Sequence, residues 1–200
     1  MNIMSRATGI LTKPQPEWER IAAEPDTAAG VFTRYAAPMA LLPLVGSIVG
    51  GLLIGGQTIG AVEITFSFKV ISALAGYVVG LALLYIMHLI ANALAPSFGG
   101  MRNTAGAMKL LAYASTATWV AGLFSFVPLL GFLISLVGLA YAIYLLFLGS
   151  TPVMGVPAGK AGGYTAAVAG IWLVTYLVVI TIVGVVLVFA VLGGVGGGSF

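Results

Sequence analysis

The chain has no cysteine, a single histidine, and charges on only 6% of its 200 residues. Without cysteine it can form no disulfide, thiolate nucleophile or sulfur-ligated metal site, and its redox compartment is unmarked. The lone His88 excludes a pair of catalytic histidines or a two-histidine metal site within one chain. Carboxylates number five, and the long apolar runs contain no intramembrane acid pair. A nucleophile elbow, a phosphate loop and a metal motif are missing too. No basic patch interleaved with aromatics is present, which argues against nucleic acid as a partner. These absences lead us to expect a non-enzymatic protein with no cofactor.

Apolar side chain is what the sequence has in excess. At 60% hydrophobic residues and a mean hydropathy of +1.14, it carries more than a soluble core of this size can hide, so it reads as an integral membrane protein. Charge is concentrated at the start: Arg6, Lys13, Glu17, Glu19, Arg20, Glu24, Asp26 and Arg34 all precede residue 35. Arg6, Gly9, Lys13 and two prolines interrupt the first sixteen residues, unlike the unbroken apolar stretch of a cleaved signal peptide, so this polar head is expected to stay on the mature protein.

A helix needs about 20 mostly apolar residues to cross the hydrocarbon of a bilayer. Windows of that length lie near 35–56, 70–93 and 166–192. The uncharged stretch 110–149 would be about 60 Å long as one helix, twice what is needed. It is expected to fold back at "SFVPLLG", where Pro128 and Gly131 break the pattern, giving spans near 110–127 and 130–149. A re-entrant segment is the alternative for part of this region. The fold class is therefore all-α: a polytopic membrane bundle of five transmembrane helices with a short N-terminal amphipathic segment. Its expected parts are a cytoplasmic segment 1–33, a bundle 34–192 and a flexible Gly-rich tail 193–200. With the N-terminus in the cytoplasm, Arg6, Lys13, Arg20, Arg34, Arg102, Lys109 and Lys160 fall on that side and only Lys69 on the other, as the positive-inside rule favours. That places the C-terminus across a membrane, expected to be a bacterial inner membrane.

Three groups of residues are candidates for function. Glycines four apart, Gly46 with Gly50, Gly51 with Gly55 and Gly76 with Gly80, clear a helix stripe for close approach, either for a dimer or for packing within one chain. Tyr77, Tyr85, His88 and Asn92 share one sector of the second span as a candidate polar stripe, and Tyr113, Ser115, Thr116 and Thr118 add hydroxyls to the third. In "KPQPEWERIAAEPDT", residues 13–27, Pro16, Glu17 and Glu19 suit a helix start, Arg20 and Glu24 can pair, and Pro25 with Asp26 marks a stop. Trp18, Ile21 and Ala22 form its apolar face, with Ile3, Met4, Ala7, Ile10 and Leu11 repeating a helical spacing before it. Trp18, Ile21 and Arg20 are the candidate contacts to a membrane surface or a partner; a lid packed on the bundle is the alternative.

"YAIYLLFLGSTPVMGVPAGKAGGYTAAVAG" (141–170), "ILTKPQPEWERIAAEP" (10–25), "RYAAPMALLP" (34–43), "FGG" (98–100) and "AYASTATWVAGLFSFVPLLG" (112–131) occur in an order and spacing that resembles the bacterial branch of the Yip family, named for membrane proteins that interact with Ypt/Rab small GTPases. The resemblance covers nearly the whole chain and implies five spans with a cytosolic N-terminus. Ala117 stands where a proline is expected after "ST", and the Asp-Leu-Tyr-Gly-Pro signature of eukaryotic members is absent, so a small GTPase enters as a partner only by distant family analogy. The expected function is a scaffold or adaptor that organises membrane proteins or lipids, its partners being the lipid bilayer, other membrane proteins and a homo-oligomer of itself. The alternative is a small permease or channel using the polar stripe.

Overall fold

A computed structural model describes residues 2–54, 57–59 and 62–196. Two short helices, α1 (Ile3–Thr12) and α2 (Pro14–Ala23), form a hairpin. The next stretch runs through α3 (Ala28–Val31), a π-helical turn at Phe32–Ala36, α4 (Ala37–Met39) and α5 (Leu41–Ile54). Its kink at Ala40 has a local cause: Pro43 has no amide hydrogen to give the carbonyl four residues back, and its ring crowds that carbonyl. Next come α6 (Phe66–Leu94), α7 (Thr104–Ala114), α8 (Thr116–Gly122), α9 (Pro128–Met154) and α10 (Ala158–Gly196). Between α5 and α6, Gln57–Ile59 and Val62–Ile64 pair as antiparallel strands β1 and β2, Gln57 opposite Ile64. Sequence patterning did not anticipate this ribbon; Thr58, Ile59, Val62 and Ile64 are the β-branched residues that suit it.

Among the described residues, four helices are long and apolar enough to cross a membrane by length and composition: Ala28–Leu53, Phe66–Phe98, Leu129–Met154 and Ala158–Val186. This corrects the expected five. The segment expected to supply the third span is interrupted at Ser115 and ends in a 3-10 turn, Leu123–Phe126. The hydroxyls there compete with the helix for its carbonyls: Thr118 donates to the Ser115 carbonyl at 2.8 Å, and the Thr116 hydroxyl bonds the Tyr35 hydroxyl at 2.7 Å. Even so, the segment runs the length of the bundle. At one end the Asn103 amide donates to Asn92 at 2.7 Å, and at the other Phe126 lies against Gly50. The fold-back near Pro128 is present, since α9 begins there. The expected loose tail begins as helix instead, because α10 continues to Gly196; residues 197–200 lie outside the described residues.

Burial is concentrated in one half of the molecule. The core draws on residues 7–39, 84–117 and 142–168, and every residue from Gly106 to Ala117 is buried. A helix apolar all round must be covered on all sides, and α7 is enclosed by α9, α6, α3 and the hairpin. The other half turns its side chains outward, from Leu129 to Phe147 on α9 and from Leu173 onward on α10. This divides the protein into a packed head and an apolar bundle suited to lipid.

Candidate functional site at the N-terminal hairpin

The amphipathic hairpin is folded onto the bundle as a lid. Trp18 and Ile21 are 1% exposed and Ile10 is fully buried, so of the candidate surface contacts only Arg20 faces solvent. Trp18 meets Tyr113 edge-to-face at 6.3 Å. It also fills the space left by Gly149, where an added Cβ would sit 2.7 Å from the indole and from Leu110. The tip of the hairpin is tied to α9 by the Tyr141 hydroxyl, which donates to the Leu11 carbonyl at 2.8 Å.

Within this lid runs a charge network that is buried at Arg6 and Glu17. Arg6 donates to Glu17 at 2.5 Å and to both oxygens of Glu24, with its guanidinium 5.7 Å from the centre of the Tyr113 ring. Arg20 bonds Glu17 at 2.9 Å, three residues away, so Glu24 is spent on Arg6 and not on the expected Arg20 pair. Burial opposes the Arg6 charge, but Glu24 and Glu17 outweigh it and hold its pKa above the usual value. Lys109 of α7 donates to the carbonyls of Ile21 at 2.9 Å and of Glu24, capping the end of α2. Burial pushes its pKa below the ordinary value, with Asp26 and Glu24 partly restoring it. Sequence reasoning had placed Lys109 as an inside-facing charge between spans; that it reaches the hairpin was not legible, because 85 residues separate it from Glu24.

The candidate polar stripe does not line one path. Tyr77 donates to the Ala37 carbonyl at 3.1 Å. Tyr85 faces outward at 51% exposure against Phe32. His88 is buried and bonded to the Tyr85 carbonyl. Asn92 holds the turn before α7 through Asn103 and Thr104. Among the described residues no group of three His, Cys, Asp or Glu side chains is placed to hold a metal ion.

The candidate glycines divide in two. An added Cβ at Gly46 would lie 2.5 Å from the Leu123 carbonyl oxygen and one at Gly50 3.1 Å from Phe126, so these pack α5 against the end of α8 within the chain. Gly51 makes ordinary contact with Lys69 and Phe66, and Gly55 lies outside the described residues. Gly76 and Gly80 face open space among the described residues, with nothing within 4 Å of an added Cβ.

A protein-family model described as the Yip1 domain matches residues 8–182. The chain belongs to the Yip1 domain family. The match begins within α1 and takes in the rest of the hairpin, the first three candidate spans and most of the fourth, so in this Yip family member most of the lid belongs to the matched domain. Neither a curated protein nor a solved structure matches it.

Proposed function

We propose that this Yip family protein is a non-enzymatic membrane scaffold or adaptor, with the head as a rigid platform and the outer face of α6 as its contact to a second membrane helix. The open stripe at Gly76 and Gly80 carries the reading: the glycines of α5 are filled from within the chain, whereas a Cβ at either of these two would meet no described residue within 4 Å. Small residues four apart let helices approach closely and gain packing that lipid cannot supply. The partner is another membrane protein or a second copy. The chain sits in a bacterial inner membrane with its N-terminus on the cytoplasmic side. The permease reading is less favoured, because the members of the polar stripe bond separately to their neighbours.

Affinity purification of the full chain from native membranes tests the scaffold. Gly76→Leu with Gly80→Leu is expected to lose helix partners recovered with the unaltered protein at equal abundance. An unchanged partner set overturns the proposal, as does a solute flux in reconstituted vesicles that His88→Ala abolishes.

A further inference from the structure

Of the four Lys and Arg side chains before residue 35, three have carboxylate partners: Arg6 with Glu17 and Glu24, Arg20 with Glu17, and Arg34 with Asp26. Lys13, at the tip of the hairpin, has no ion pair among the described residues. It opens into a shallow groove of about 310 Å³ lined by Lys13, Pro14, Gln15, Pro16 and Tyr144, with no carboxylate among them. Tyr144 is 46% exposed and stacks at a tilt on Tyr141, their rings 5.6 Å apart.

The depth of this groove follows from α9. Its outward apolar side chains run from Leu129 at 75% exposure to Phe147 at 42%, a rise of roughly 27 Å, close to the hydrocarbon thickness of a bilayer. Tyr141 and Tyr144 stand near one end of that run, where tyrosine rings collect at the headgroup level. Trp172 lies about as far beyond the Gly155–Pro157 turn as Tyr141 lies before it, which sets a second aromatic at the same depth. From the groove, Tyr144, Val137 and Leu133 share one outward stripe of α9, the last two 69% and 50% exposed. An unpaired ammonium at headgroup depth thus sits at the head of a continuous apolar path into the bilayer.

We propose that this groove binds an anionic phospholipid, its headgroup phosphate on the Lys13 ammonium and Tyr144 hydroxyl and one acyl chain along Val137 and Leu133. Bound there, the lipid supplies the counter-ion that no described residue gives Lys13 and fastens the hairpin tip at the interface. The site is independent of the α6 stripe, so either can fail without the other.

Native mass spectrometry of the full chain, released from detergent with equimolar phosphatidylglycerol and phosphatidylethanolamine, tests this. Lys13→Gln is expected to lower retained phosphatidylglycerol about fivefold, the weight of one lysine at an anionic surface, and to leave phosphatidylethanolamine unchanged. Tyr144→Leu is expected to lower it further in combination, while Lys160→Gln, away from the groove, does nothing. All three substitutions change exposed side chains, and an unchanged melting temperature confirms that the fold is kept. Equal retention of phosphatidylglycerol by Lys13→Gln overturns the site, and so does an equal loss of both lipids. Competition by soluble glycerol phosphate at the same concentration would show that a free phosphate suffices, and would overturn the assignment to lipid.

Discussion

Replacing Trp18 by alanine should release the hairpin from the head without unfolding the bundle. The indole is 1% exposed, and truncating a buried tryptophan costs about 3–5 kcal/mol in lost burial and residual cavity. Part of that is offset here. The Trp18 Nε1–H is buried without a hydrogen-bond partner among the described residues, a penalty of about 1–3 kcal/mol that the substitution removes. The difference of the two mid-range values is a net loss of about 2 kcal/mol in hairpin docking, which raises the open population roughly 30-fold. Hydrogen exchange of the protein in nanodiscs reads this directly: protection of α2 amides should fall by that factor while α6 and α9 keep theirs. Trp18→Phe separates the two contributions, because it keeps most of the ring volume and removes the unpartnered N–H; its effect should stay within about 1 kcal/mol of zero. Unchanged α2 exchange in Trp18→Ala would refute the lid, and a parallel loss across α6 and α9 would refute its independence from the bundle.

Gly149→Val should mimic this release, since an added Cβ already meets the Trp18 ring and Leu110 at 2.7 Å; susceptibility of residues 1–25 to protease in detergent should rise several-fold, and an unaltered digestion pattern would contradict the packing. Reporter fusions after residues 25 and 105 should read cytoplasmic and one after 64 external, and an external reading at 105 would contradict the orientation.

What the sequence by itself determined is the solvent this protein lives in and where most of its helices run. Hydropathy over 20-residue windows is a local property, so the spans near 35–56, 70–93, 130–149 and 166–192 each fall on a long apolar helix, and Pro128 marks a turn because a missing amide hydrogen is local too. The hairpin was equally legible as helix, from Pro16 and the spacing of Trp18 and Ile21. Where its apolar face goes was not, because a membrane surface and a packed bundle offer the same gain on burying Trp18; only Gly149, Leu110 and Tyr113, brought together from distant parts of the chain, decided for the bundle. The break at Ser115 escaped for a related reason: a run of hydroxyl residues can stay helical, and it is the Tyr35 hydroxyl arriving from α5's preceding π-turn that engages Thr116. Glycine spacing likewise announced close approach without naming the neighbour. Gly46 meets the Leu123 carbonyl while Gly76 meets nothing, a difference that lies in how helices are arranged in space and not in any residue of their own sequence.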